Sequence, residues 1–180
     1  MTLGTGIGGG IVLNGRLLRV AAEIGHTIIS SEGPQCPCGN VGCLETLASA
    51  TAVIARAISE IENGNQSALR SLYHGNFYKM NAEDIYKAAL DGDMLARTVL
   101  KDAGKALGIG IANVVNVFSP QAIILTGGMI GAWNIYVEAA IREASRRAFK
   151  ELISRVKILP SQLGDDAGLT GIAYLASETE

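Results

Sequence analysis

The sequence predicts an α/β fold, and three features carry that expectation. Apolar strand-like runs alternate with helical stretches, the pattern of helices layered on a sheet. The run Ala122 to Gly128, AIILTGG, is apolar and β-branched, as a buried parallel strand is. The stretch from Leu3 to Asn14 reads as strand, glycine turn, strand.

The remaining elements follow in order. Asn14-Gly15 marks a tight turn into RLLRV. Thr27 to Ser30, TIIS, reads as a short strand. From Leu44 the period becomes helical, with apolar residues at Leu44, Leu47, Val53, Ile54 and Ile58. Glu62 to Met80 is polar and irregular apart from one short helix. Asn81 to Asp84, NAED, has the form of a capping box and opens a helix. A long helix runs from Met94 to Phe118, and Pro120 ends it. An amphipathic helix from Trp133 to about Ser154, a strand VKILPS and a final helix from about Ala167 to Ser177 complete the chain. No repeat or low-complexity linker divides it.

The composition excludes several classes of function. Of 180 residues, 48% are apolar and 18% charged, which is the make-up of a folded domain. The formal charge of -2 gives no electrostatic reason to bind nucleic acid or an anionic membrane. No apolar run approaches the roughly 20 residues of a membrane span, and no basic lead opens a signal peptide. The expected compartment is the cytoplasm. The chain opens in the middle of what reads as a strand, so the fold is expected to extend upstream.

All three cysteines fall within eight residues, at Cys36, Cys38 and Cys43, and His26 lies ten residues before the first. The spacing H-x9-C-x-C-x4-C gathers four soft or borderline donors, the complement for tetrahedral zinc. A disulfide would leave one cysteine unpaired, and the C-x-x-C of redox sites is absent. Four protein ligands leave no position for water, so the expected zinc is structural.

Two glycine turns invite an anion. Gly4 to Gly10, GTGIGGG, puts backbone amides within reach of a phosphate, with Thr5 adding a hydroxyl. No G-K-[ST] follows, and no helix follows, so neither a Walker loop nor a dinucleotide fingerprint fits. A plain glycine-rich hairpin is the alternative. Thr126 to Gly128, TGG, stands at the C-terminal end of the predicted parallel strand, where α/β folds bind ligands. Gly104, Gly108 and Gly110 lie inside the long helix, where each costs about 1 kcal/mol against alanine; close helix packing is the favoured reason. Asn113 and Asn116 are read as capping or polar packing, His74 as a surface residue and Trp133 as core.

Taken together, LGTGIGGGIVLNG, AAEIGH and CPCGNVGCLE resemble the ROK family of sugar kinases, open reading frames and repressors. IILTGGMI and DDAGLTGIAYLA extend the resemblance over nearly the whole chain, but only to the C-terminal half of a family member. The resemblance implies an actin-like ATPase, ribonuclease H-like lobe: a mixed sheet flanked by helices, with a zinc loop. It implies that His26, Cys36, Cys38 and Cys43 bind zinc, and that Glu23, His26 and Glu45 bind sugar hydroxyls. Gly4, Thr5 and Gly6 would belong to the second phosphate loop, and Gly127 and Gly128 would meet the nucleoside.

The activity so implied is ATP-dependent phosphorylation of a hexose with Mg2+, most like glucokinase, in a homodimer without a membrane partner. The alternative is the sugar-sensing domain of a repressor, the one case with a nucleic-acid partner. The family's D-x-G-G-T and N-D-A-N-like motifs do not occur here. The catalytic base is therefore expected outside the chain, in an absent N-terminal lobe. Asp165 and Asp166 belong to a different motif and do not replace it, so the chain alone is not expected to phosphorylate sugar. The segment RLLRVAAEIGH is shorter than in the family and has no glycine before Gly25, which bears on the placing of Glu23. The last helix is expected to pack on the absent lobe.

Overall fold

The computed structural model describes residues 1–177, with the side chain of Asp165 outside the described set. Helix α4 (Met94–Phe118) organises the molecule. It starts where the Asp93 carboxylate accepts the Ala96 amide at 2.9 Å, and it ends at Ser119, which turns to φ 44° one residue before Pro120. Leu100, Leu107, Ile111 and Val115 on it are fully buried. Helices α1 (Leu44–Ala48), α2 (Ala50–Glu62), α3 (Ala82–Leu90) and α5 (Glu138–Arg147) all pack against it. The Asn81–Asp84 capping box opens α3, as its sequence indicates.

The glycines of α4 are packing residues. A Cβ at Gly104 would overlap the carbonyl of Tyr136, and one at Gly108 would stand 2.6 Å from the Ala140 oxygen. Glycine there lets the backbones of α4 and α5 approach more closely than any side chain permits. Gly110 makes room for Leu44 in the same way. Tyr136 is fully buried, and its hydroxyl donates to the Ala48 carbonyl at 2.7 Å, so the last turn of α1 keeps a partner.

The strands are short. β1 (Thr2–Leu3) pairs antiparallel with β2 (Ile7–Gly8), and β3 (Val12–Leu13) with β4 (Arg16–Leu17). Asn14 and Gly15 both take positive φ, 52° and 76°, in the two-residue turn between β3 and β4. β5 (Ala122–Leu125) runs parallel to β6 (Lys157–Pro160). Thr2 bridges Thr126 in parallel, with the Leu3 amide on the Thr126 oxygen at 2.7 Å. β1 thus lies beside the end of β5, and the arrangement is mixed in direction.

Four expectations need correction. TIIS forms no strand: Ile28 makes one bridge to Cys43, and the amides of Ile29 and Ser30 both turn to the Gly42 oxygen. The helix read from Leu44 breaks at Ser49, whose hydroxyl accepts the Ala52 amide and caps a new helix. The helix read from Trp133 to Ser154 opens as a π-helical turn, runs as α5, and stops at Ala148. There the Phe149 amide donates to Asn116 Oδ1 at 3.0 Å before α6 (Lys150–Ile153) begins. β5 is buried on one face only, since Ile123 and Leu125 are covered while Ile124 is 45% exposed.

Asn116 is therefore a packing residue, Trp133 rests against the core, and His74 is exposed. Leu169 and Ile172 of α7 (Ala167–Ser177) are 74% and 69% exposed. Among the described residues no helix is long and apolar enough to cross a membrane.

Alanine at Gly108 raises helix propensity by about 1 kcal/mol but forces a Cβ into α5, which costs about 1–3 kcal/mol. Urea unfolding should find Gly108→Ala less stable than the parent.

Candidate functional site

Cys43 stands directly before α1, so the loop that begins at His26 is anchored at both ends to regular structure. The Sγ atoms of Cys38 and Cys43 are 3.6 Å apart, and His26 Nδ1 is 3.4 Å from Cys36 Sγ. All four ligand atoms lie within 4.8 Å of one another. A tetrahedron with zinc–sulfur bonds of about 2.3 Å has edges of about 3.8 Å, so the donor set and its size both fit zinc. Cys36 and Cys43 are buried, Cys38 is exposed and His26 is half-buried.

The thiols differ in acidity. The Asn40 backbone amide, and then Cys36, stabilise the Cys38 thiolate and bring it down to about 7. Burial, followed by the neighbouring sulfurs, pushes Cys43 up to about 12. Three thiolates so close need a cation to share their charge, and a bound divalent metal deprotonates coordinating thiols outright. Asn40 Nδ2 also reaches Cys38 Sγ at 3.6 Å. The sequence reading did not single out Asn40, and its position between two ligands was the available signal.

With His26 Nδ1 turned to the sulfurs, Nε2 faces outward, 4.0 Å from Glu23 Oε2. Glu23 is largely exposed, at 65%. The short connection before it passes through Ala22 at φ 46°, a region costly for alanine. Gly25 in the next turn packs so closely on the Ile7 carbonyl that a Cβ would overlap it. Glu45 reaches the glycine loop: its Oε2 accepts the Ile7 amide at 2.7 Å. Two further contacts clamp the same loop, from the Ala50 amide to the Gly4 oxygen at 2.9 Å and from Thr51 Oγ1 to the Thr5 oxygen at 2.7 Å. Nothing in the sequence marks Thr51 or Ile7 for this, because the contacts span about forty residues.

The loop's amides are not all open to an anion. Gly4 N donates to Gly6 O and Ile7 N to Glu45. Gly127 takes φ 95°, and a Cβ on it would stand 2.5 Å from the Leu3 oxygen, so the TGG turn abuts the strand that enters GTGIGGG. A groove of about 540 Å³ is lined by Thr5 and Glu45 and by Pro34, Gln35 and Pro37 of the cysteine loop.

A model of the ROK family matches residues 1–179. The chain belongs to the ROK family. A glucokinase from Halalkalibacterium halodurans is 35% identical over all of this chain and 56% of its own length. A xylose repressor from Caldicellulosiruptor bescii is 31% identical over 99% of this chain and 45% of its own. A ROK glucokinase from Streptomyces griseus, solved with glucose and AMPPNP, is 33% identical, with a TM-score of 0.86 over 98% of this chain and 59% of that one. The chain thus spans about half the length of the relatives it matches, and ROK glucokinases and repressors are similar to it at nearly equal identity.

Zinc must displace the Cys43 proton at any ordinary pH, and the Cys38 proton as well below about pH 7. Competition with a chromophoric chelator should show one zinc per chain, with affinity falling as pH falls and falling more steeply below about 7. Cys43→Ser should lose the metal.

Proposed function

We propose that this chain is the C-terminal lobe of an ATP-dependent hexose kinase of the glucokinase type. It supplies the zinc loop, part of the sugar site and part of the ATP site. One observation carries the reading: two glycine turns and a zinc-anchored carboxylate stand in a row. Gly127 abuts Leu3, the glycine loop follows, and the Ile7 amide rests on Glu45, two residues beyond Cys43. A nucleotide phosphate at Gly4, Thr5, Gly6, Gly127 and Gly128 and a hexose at Glu23, His26 and Glu45 would then be neighbours. Phosphoryl transfer needs little more from a protein than such positioning and charge neutralisation.

The division of labour follows from the side chains. Carboxylates and an imidazole give or accept hydrogen bonds from vicinal hydroxyls. The metal on Nδ1 would fix the ring of His26 and leave Nε2 for the sugar. Mg2+ bound with ATP would offset the phosphate charge. The base that takes the sugar's proton lies outside these residues, so the reading assigns no catalytic residue here. A homodimer in the cytoplasm is part of the same proposal.

A second reading, the sugar-sensing domain of a repressor, is favoured by the repressors among the relatives. The GTGIGGG loop, clamped at three points, favours the kinase. Titration calorimetry separates them. On the kinase reading the chain binds Mg·AMPPNP, and Glu23→Ala weakens glucose binding about 10- to 100-fold, the loss of one charged hydrogen bond. Glucose binding with no affinity for the nucleotide would favour the sensor. In a coupled assay the chain alone should form no glucose-dependent ADP; clear turnover would place the base within it.

A further inference from the structure

We propose a second role for Glu45: it is a positioning residue that ties the glycine loop to the zinc loop, so that metal occupancy sets the order of the loop. The inference rests on the kinase reading only for its consequence, nucleotide affinity; the tie itself stands on geometry. Glu45 Oε2 accepts the Ile7 amide at 2.7 Å across thirty-eight residues. Glu45 lies two positions past the buried ligand Cys43, in the first turn of α1, a helix whose entry the zinc loop fixes. The glycine loop is shaped to receive it. Gly6 does not have a positive φ, so its backbone suits alanine, yet a Cβ there would run into the Glu45 carboxylate. Glycine at this position leaves room for the carboxylate beside it: a methyl group there would push the carboxylate aside rather than strain the turn. The contacts from Ala50 and Thr51 hold the carbonyls of Gly4 and Thr5, whereas Glu45 holds an amide, the group that faces an anion in such loops. A carboxylate in that place takes Ile7 out of the anion cradle and, with the Gly4 amide on the Gly6 oxygen, leaves those of Thr5 and Gly6 to a phosphate.

Backbone amide exchange on the zinc-loaded chain tests this without sugar or nucleotide, so a failed kinase assay leaves it standing. Glu45→Ala should speed exchange of the Ile7 amide about tenfold or more, the weight of one charge-assisted hydrogen bond. Glu45→Gln keeps an acceptor and should stay close to the parent. Gly6→Ala should displace the carboxylate and reproduce the Glu45→Ala result with Glu45 present. Cobalt substituted for zinc should give the same visible absorption in all three variants, since the ligands are unchanged. Stripping the metal should deprotect Ile7 while Leu107, buried in α4, stays protected; if Leu107 is lost as well, the lobe has unfolded and Gly6→Ala decides. Parent-like exchange at Ile7 in Glu45→Ala and Gly6→Ala would overturn the tie. Unchanged Ile7 protection in the folded, metal-free chain would overturn its dependence on metal.

Discussion

Between Thr27 and Gly42 the chain forms no helix and only isolated bridges, Ile28 to Cys43 and Gln35 to Val41. Fixing backbone without such structure costs about 1–2 kcal/mol per residue, and the loop's few hydrogen bonds do not offset that. The four converging donors are what can. Metal binding is worth folding free energy when the site does not exist in the unfolded chain. Four protein donors leave no open position, and Cys36 and Cys43 are buried, so the metal's contribution is positional. The start of α1, directly after Cys43, takes its entry from there.

Cys43 fixes the start of α1, and Ser49 caps α2 at a bend that Tyr136 supports from across the core. The residues around that bend then meet the glycine loop at Gly4, Thr5 and Ile7. Leu3, just ahead of the loop, is fixed by Thr126, and Gly127 follows directly. A hairpin of glycines has little structure of its own and a high entropy cost of ordering. Here it is ordered from outside, by a helix start on one side and a strand end on the other.

Much of this was legible in the sequence, and the reasons differ by element. The cysteine spacing specified a metal site because few other arrangements use four such donors. The Asn14-Gly15 turn, the capping box at Asn81 and the glycines of the long helix each reflect a local steric demand that one residue type meets. The losses occurred where the deciding partner is remote. The break at Ala148 depends on Asn116 taking an amide thirty-three residues away. The apolar run at Ile28 lacks a partner strand, because Gly42 offers one carbonyl to two amides. The break at Ser49 could have been read, since serine inside a helical period is itself a capping signal. The family resemblance implied a sugar role for Glu45, but its hold on Ile7 left no trace in spacing.

Sensing and catalysis place different demands on this lobe. A sensor needs the sugar side alone, which on the proposed reading draws on Glu23, His26 and Glu45. A kinase needs the sugar side and the phosphate side held at a fixed separation, because a misplacement of about 1 Å can cost 100-fold in rate. Three clamps hold the seven-residue glycine loop, and all three come from residues 45 to 51, the segment that holds Glu45, one of the proposed sugar residues. On the proposed reading a rigid spacing between the two sides is built into the chain, at the cost of one amide, that of Ile7, which a looser loop would have kept for phosphate. Such a fixed spacing suits the proposed kinase, which must hold a phosphoryl group against a hydroxyl.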